Sequence, residues 1–215
     1  MIIFIIFYVI FFALLMVTSY NQKYRRYYVP VKALTSLVFV LAAFFNMKGQ
    51  FSWTWMAAFI FCFLGDVFLG LDEKKNVTAN FILGLSSFVL GHLFFIMTID
   101  QIVKFHFKDL IVPIGMMIFT FFLTKHPKFH VKGHKIPILI YSVIVSLLCV
   151  KGIDIFQYHP SCLKIMIGAF LFCISDFILL FMYFYEDKVK ILKFLNLLTY
   201  YSATMLLAMS VICVG

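Results

Sequence analysis

Charged residues are scarce in this sequence. Only 13% of its 215 residues are charged, whereas 64% are hydrophobic. Soluble globular domains carry about 25% charged residues, so this chain has too little polar surface to be one. The sequence therefore predicts an integral membrane protein.

The net charge of +9 and the 20% share of aromatic residues do not make the chain a nucleic-acid binder. Aromatic side chains are ordinary on lipid-facing helices, and cations in a membrane protein have to be judged by their position relative to the spans. We expect the lipid bilayer as a partner and no nucleic acid. The sequence sets no oligomeric state.

Paired cysteine motifs are absent as well. None of the five cysteines forms a CxxC pair, and all lie in apolar segments: Cys62, Cys149, Cys162, Cys173 and Cys213. We interpret them as small core residues and not as a disulfide or metal framework. The GxxxxGK[ST], HExxH, GxSxG and Rossmann glycine patterns are also missing, so the sequence predicts no nucleotide, cofactor or metal.

One group of histidines has a spacing that would suit a metal on a helix. His126, His130 and His134 recur every fourth residue in a basic segment. Pro127 would interrupt a helix in that segment, Gly133 also disfavours a helix, and no carboxylate lies nearby in the sequence. We therefore favour a solvated cationic loop over a metal site.

Apolar runs of bilayer length, about 17 to 25 residues, occur eight times. They cover residues 2–20, 29–46, 52–71, 78–100, 109–124, 136–153, 161–184 and 191–213. The first 22 residues contain no Lys or Arg, so we expect the first run to be a retained span and not a signal peptide. The prediction is an all-α, polytopic membrane protein with eight transmembrane helices in a single domain, residues 1–215. Because the connections are short, consecutive helices are expected to be antiparallel neighbours.

The distribution of cations between the connections predicts the orientation in the membrane. Thirteen cations flank the connections after spans one, three, five and seven: Lys23, Arg25, Arg26, Lys32, Lys74, Lys75, Lys125, Lys128, Lys132, Lys135, Lys188, Lys190 and Lys193. Five lie on the other side: Lys48, Lys104, Lys108, Lys151 and Lys164. We expect the odd loops in the cytoplasm, both termini outside, and the plasma (cytoplasmic) membrane as the location.

Two apolar runs each contain one aspartate. Asp176 lies in GAFLFCISDFILLF (168–181), and Asp66 lies 110 residues earlier in FCFLGDVFLGL (61–71). This offset suggests a duplicated chain with halves 1–108 and 109–215, arranged as a 4+4 parallel repeat with a site at its interface. A carboxylate inside a membrane costs roughly 2.5 to 3.5 kcal/mol, so both should face the protein interior or a wet cavity. By helical rise, both belong to the cytoplasmic half of the bilayer.

Two buried carboxyl groups at similar depth favour a state in which one of them holds a proton near neutral pH. That division suits acid–base catalysis, with Asp66 and Asp176 as the pair. The alternative is structural: each aspartate hydrogen-bonds a neighbouring helix or pairs with a cation, and only holds the bundle together.

Further polar residues in apolar surroundings are candidates for the same site. Lys32 follows Pro30 near the start of span two, where it can act as a counter-ion or bind phosphate, or simply snorkel to the interface. His92 is the only one of the six histidines inside a span. It can orient groups or transfer protons beside two carboxylates, or it can be a satisfied structural histidine.

Three tyrosines are candidates for binding a polar head group. Tyr141 lies near the start of span six, and Tyr200 and Tyr201 lie about ten residues inside span eight. Tyrosines at a membrane interface are commonly belt residues, but Tyr200 and Tyr201 are deep enough to be expected in the interior.

The runs that contain these residues resemble a known family. GAFLFCISDFILLF, FILGLSSFVLGHLFFI, FLGDVFLGL and YYSATMLLAMS are similar, in order and spacing, to segments of the YhhN-type membrane proteins, the lysoplasmalogenase family. The resemblance implies a multi-pass helical hydrolase that cleaves the vinyl ether bond of lysoplasmalogens. Its substrate would be a lysophospholipid, and its products a fatty aldehyde and a glycerophospho-head group.

Residue by residue, the polar positions of that family match six residues of this chain: Lys32, Asp66, His92, Tyr141, Asp176 and Tyr201. There are two departures. The family often has Lys-Pro where this chain has Lys32-Ala33, and a glutamine late in the last span where this chain has Thr204. The second departure bears on head-group specificity.

The chemistry implied by the resemblance fits the residues. Vinyl ethers hydrolyse by protonation of the β-carbon, which gives an oxocarbenium ion that water captures, so the reaction needs a desolvated acid and a carboxylate. We expect the carboxyls of Asp66 and Asp176 about 6.5 to 9.5 Å apart across one central cavity. His92, Tyr201 and Lys32 should line that cavity, which should continue into an apolar slot for the chain.

Two other functions stay open at this point. A proton-coupled transporter or lipid-binding module could use the same aspartates, although helices interrupted by Gly or Pro are missing. A zinc-dependent membrane hydrolase would need several histidines inside the spans, where only His92 is found.

Overall fold

The computed structural model of the chain describes residues 2–47, 51–72, 79–131, 133–187 and 189–210. Eight α-helices account for most of them, and no strand occurs in these ranges. The helices are α1 (Ile2–Tyr20), α2 (Tyr28–Asn46), α3 (Trp53–Leu71), α4 (Ala79–Asp100), α5 (Ile111–Leu123), α6 (Lys135–Tyr158), α7 (Leu163–Phe184) and α8 (Lys190–Ala208). Five counted cations, Lys48, Lys74, Lys75, Lys132 and Lys188, lie outside the described residues, as do Cys213 and positions 211–213 of span eight.

The prediction of eight helices is confirmed, and seven of them are long and apolar enough to cross a membrane. The chain is thus a multi-pass membrane protein. The exception is α5, which has 13 residues and is shorter than the predicted span 109–124. A 3₁₀ turn, Phe107–Leu110, precedes it, and together they extend about 28 Å. A complete crossing by α5 stays a prediction.

Six of the helices form a closed ring in the order α2, α3, α4, α6, α7, α8, since α8 returns to contact α2. Outside the ring, α1 packs against α2 and α5 packs against α6. The prediction that consecutive helices are neighbours is wrong for α4 and α5. Besides α3, the helix that α4 packs against is α6. The order of contacts is the same in both halves of the chain, which is what a 4+4 repeat requires. The repeat itself stays a prediction.

Close approach between α3 and α4 positions the polar residues of α4. A Cβ atom on Gly91 would lie 3.0 Å from the Sγ of Cys62 and 3.2 Å from the carbonyl oxygen of Ala58. Both contacts are tighter than ordinary van der Waals packing, so the helices can approach this closely only because residue 91 has no side chain. The next residue, His92, is consequently held inside the ring with no exposed surface.

Lys151 is fully buried although the sequence places it among the cations of the outer connections. Its Nζ donates to the carbonyl of Val103 at 2.5 Å and lies 3.3 Å from Asp100 and 3.8 Å from Asp109. The helix that carries it, α6, runs on to Tyr158. Two carboxylates from other segments thus compensate this cation, which ties the end of α4 to α6.

The histidine-containing loop packs against the end of α7. The backbone N–H of His130 donates to Phe184 at 2.8 Å, and that of Glu186 donates to Lys128 at 2.9 Å. Lys128 also donates to Asp187 at 2.7 Å, and this bond raises the pKa of the lysine. The fold therefore brings two carboxylates to a loop that has none nearby in sequence. Among the described residues, no group of three or more His, Cys, Asp or Glu side chains could hold a metal ion.

Candidate active site

Asp66 of α3 is surrounded by hydrogen-bond donors. Its carboxylate is 1% exposed and lies 3.1 Å from the Nζ of Lys32. The hydroxyls of Ser36 and Tyr200 both donate to its Oδ2 atom at 2.6 Å. Lys32 and Ser36 are one turn apart on α2, and Tyr200 comes from α8. With three donors in place, Asp66 needs no proton of its own to satisfy its lone pairs.

Tyr201 forms a second layer behind this ion pair. Its hydroxyl lies 3.1 Å from the Oγ of Ser36, and its carbonyl accepts a hydrogen bond from Tyr8 of α1. The hydroxyl of Tyr8 also lies 3.1 Å from the Oγ1 of Thr204. Thr204 is thus part of the contact between α1 and α8 and is fully buried.

Asp176 of α7 has a different environment. Its Oδ2 lies 3.3 Å from the Nε2 of His92, and the hydroxyl of Tyr141 from α6 is close to it. These three polar atoms are buried, and within the described part of the chain none of them has a hydrogen-bond partner of good geometry. Buried polar atoms are nearly always satisfied, so these three atoms need either a proton shared between them or a water or ligand that they contact.

The tautomer of His92 follows from its other contact. Its Nδ1 lies 2.5 Å from the carbonyl of Phe88, which can only accept, so Nδ1 carries a hydrogen. The contact of Nε2 with Asp176 is then attractive only if one proton lies between them, on the imidazole or on the carboxyl group. The pair is thus a place where one proton can be shared.

The two carboxylate clusters are connected through an aromatic ring. Phe172 is fully buried and packs edge-on against Tyr200 at 5.3 Å and against His92 at 4.4 Å between ring centroids. The clusters draw on matching helices. Asp66 meets groups of α2 and α8, whereas Asp176 meets groups of α6 and α4.

Two cavities adjoin these clusters. The first, which we call the apolar cavity, has an empty volume of about 600 Å³ and is lined by Asp176 and Tyr141 together with apolar side chains such as Leu85, Met116 and Val145. The second, the polar cavity, has about 660 Å³ and is lined by Lys32 and other charged and polar groups. Leu179 of α7 lines both.

The predicted site residues are thus divided between the two cavities. Asp176 and Tyr141 line the apolar cavity and Lys32 lines the polar cavity, so the expected single cavity shared by His92, Tyr201 and Lys32 is not what the structure has. The remaining four are buried and line neither of these two cavities: Asp66, His92, Tyr200 and Tyr201. The expected separation of the two carboxyls stays a prediction.

Comparison with known proteins places the chain in a family. A family model described as the YhhN family matches residues 27–211, most of the chain. The chain belongs to the YhhN family. No curated protein and no solved structure matches it. The match includes both aspartates and begins just before Lys32, so α1 and Tyr8 lie outside it.

Sequence reasoning missed several residues of this site. Ser36 could have been found, because it lies one helical turn after Lys32 on the same face of α2. Arg25 and Lys193 line the polar cavity, but in the sequence they are only two cations among the thirteen that predict orientation. No local signal distinguishes them, since the cavity exists only after α1, α2 and α8 pack.

Proposed function

We propose that this YhhN protein is a membrane-embedded hydrolase of lysoplasmalogen type, which cleaves a vinyl ether bond to a fatty aldehyde and a glycerophospho-alcohol. The observation that carries the proposal is the buried cluster of His92 Nε2, Tyr141 OH and Asp176 Oδ2, of which Tyr141 and Asp176 line the apolar cavity. Membership of the YhhN family supports it.

The apolar cavity suits the aliphatic part of such a substrate. Ligand sites commonly combine mainly apolar walls with a few polar groups. Here the walls are mostly Leu, Met, Val, Ile and Phe side chains, and the polar groups come from Asp176, Tyr141, Thr120 and Ser142. A chain in this cavity brings its vinyl ether end beside the proton held by Asp176 and His92.

The first step is proton transfer to carbon. The proton of the His92–Asp176 pair moves to the β-carbon, whose new C–H bond takes the electrons of the double bond. The ether oxygen stabilises the resulting cation at the α-carbon, and the carboxylate left behind lies opposite it. Asp176 is thus the catalytic acid, and Asp66, already bonded to three donors, anchors the site.

The second step adds water. A water held by Tyr141 attacks the α-carbon and returns its proton to the His92–Asp176 pair, which gives a hemiacetal. The bond between the α-carbon and the ether oxygen then breaks while the hydroxyl proton of the hemiacetal is transferred to that oxygen, which releases the alcohol and the aldehyde. The pair ends in its starting protonation state, so no external acid is consumed.

The test is aldehyde release by the purified protein in detergent. We expect a lysoplasmalogen to yield long-chain aldehyde, and the saturated 1-O-alkyl analogue to yield none because it has no double bond to protonate. No ion gradient is present in detergent, so turnover there also distinguishes the hydrolase from a proton-coupled transporter. If folded protein releases no aldehyde from either head-group class, choline or ethanolamine, the proposal is wrong.

A further inference from the structure

The polar cavity collects positive charge at one end of the helix bundle. Its described lining residues include three cations, Arg25, Lys32 and Lys193, and one carboxylate, Asp72. Lys32 is already paired with Asp66 behind the wall. Among the described lining residues, Arg25 and Lys193 outnumber the remaining carboxylate, so this part of the lining has a net positive charge.

Lys193 is held in place at this cavity. Its Nζ donates one hydrogen bond to the carbonyl of Ser19 at 2.7 Å and lies over the ring of Tyr28 at 5.0 Å. It is within electrostatic range of both Arg25 and Lys32. Like charges repel, so an anion bound between these cations lowers the cost of holding them close together.

A second observation points to a ligand. The Oγ of Ser19 is buried, lines the same cavity and has no hydrogen-bond partner among the described residues. A hydroxyl donor beside Arg and Lys side chains is a typical environment for phosphate oxygens. We infer that the polar cavity binds the phosphodiester of a lysophospholipid head group through Arg25, Lys193 and Ser19.

The relation to the apolar cavity favours a lipid over a free phosphate ester. Leu179 lines both cavities, so the two are adjacent, and a molecule with a charged head and an aliphatic chain that extends past this residue would occupy both. This step rests on the proposed function, because it assigns the other end of the same substrate. The phosphate contacts themselves do not depend on hydrolysis.

The experiment measures binding of a lipid that cannot be hydrolysed, by calorimetry with the full chain in detergent. The probes are a saturated 1-O-alkyl lysophospholipid and the matching 1-O-alkylglycerol, which lacks phosphate. We expect the phospholipid to bind at least about tenfold more tightly, since charge-assisted hydrogen bonds are the strong ones. Arg25→Gln and Lys193→Gln should each weaken phospholipid binding roughly tenfold and leave alkylglycerol binding unchanged.

Each variant has a matched control nearby. Arg26 lies over the ring of Tyr27 and does not line the cavity, and Lys190 is exposed at the start of α8. Arg26→Gln and Lys190→Gln should bind both probes like the wild type. Asp72→Asn should have the opposite effect and tighten phospholipid binding, because it removes the negative charge of the carboxylate from the cavity.

Three results would overturn the inference. Equal binding of the two probes would mean that phosphate is not recognised. Equal losses of phospholipid binding in the control variants would show that binding depends only on the overall charge of the protein. Tight binding of inorganic phosphate alone would assign the cavity to a free anion. Phospholipid binding that depends on Arg25, without vinyl ether hydrolysis, would instead support this site and reject the hydrolase proposal.

Discussion

The Nε2 of His92 lies 3.3 Å from the Oδ2 of Asp176, whereas the other ring nitrogen donates to a backbone carbonyl. This relationship fixes where a proton can be held in the site. Asp66, at the corresponding place in the first half of the chain, instead accepts from Lys32, Ser36 and Tyr200. The two aspartates look equivalent in sequence, but their partners suit them to different tasks.

Substitution of the two aspartates should separate catalysis from stability. In Asp176→Asn the new amide can still donate to His92, so the fold should be kept while turnover falls about 10²- to 10⁴-fold with loss of the acid. In Asp66→Asn, Lys32 becomes an uncompensated buried charge, which should cost roughly 3 to 5 kcal/mol of unfolding free energy. Aldehyde release and thermal unfolding in detergent measure the two effects. Equal stability losses in both variants would contradict this division.

Isotope labelling should reveal the site of protonation. Hydrolysis in D₂O should place one deuterium on the carbon next to the aldehyde carbonyl, because the β-carbon takes its proton from the His92–Asp176 pair. Hydrolysis in H₂¹⁸O should leave the glycerol product unlabelled, because water attacks the α-carbon and the ether oxygen stays with glycerol. Mass spectrometry of both products is the measurement. Label in the glycerol hydroxyl would indicate cleavage of the other C–O bond and exclude the proposed steps.

Much of the fold could be predicted because bilayer-length apolar runs are a strong local signal. The helices agree with the predicted spans to within two residues at each end, except that α6 continues five residues further, to Tyr158, and α8 ends at Ala208, five residues before its predicted end. Lys151 shows the limit of such reasoning. A buried lysine needs carboxylates from other segments, here Asp100 and Asp109, and a local hydropathy pattern contains no information on which segments meet.

The candidate site could be predicted only as a set of residues. Polar groups in apolar runs identified Asp66, His92 and Asp176, because such groups are costly unless they serve a purpose. Their division into two clusters depends on α4 crossing to α6 and α8 returning to α2. Those contacts are set by the packing of side chains that are distant in sequence. Without knowledge of them, the simplest expectation was that all the polar residues share one cavity.

Two glycines should respond differently to alanine. Gly91→Ala places a Cβ against Cys62 and the carbonyl of Ala58, so α3 and α4 must move apart, at a cost of about 1 to 3 kcal/mol. His92, the next residue, should shift with α4, and aldehyde release should fall. Gly115→Ala on α5 meets no atom within 4 Å and should be neutral or slightly stabilising. Thermal unfolding of both variants provides the comparison, and similar melting temperatures would argue against close packing at Gly91.

Orientation in the membrane can be tested at the two ends of the bundle. Arg26 and Phe107 are both exposed and lie at opposite ends. If the basic connections face the cytoplasm, a membrane-impermeant thiol reagent should label Phe107→Cys in intact cells and Arg26→Cys only after permeabilisation. The unsubstituted chain gives the background from native cysteines. Labelling in the reverse order would place both termini in the cytoplasm.

Filling the apolar cavity should change chain-length preference. Val145 lines this cavity, and Val145→Phe adds a ring where we expect the aliphatic chain. Each methylene that loses its place forfeits about 0.8 kcal/mol of binding, so KM should rise steeply for long chains and little for short ones. Ile140→Phe, on the same helix but 53% exposed, is the control and should leave the preference unchanged. A parallel loss for all chain lengths in Val145→Phe, with normal thermal unfolding, would show that the chain binds elsewhere.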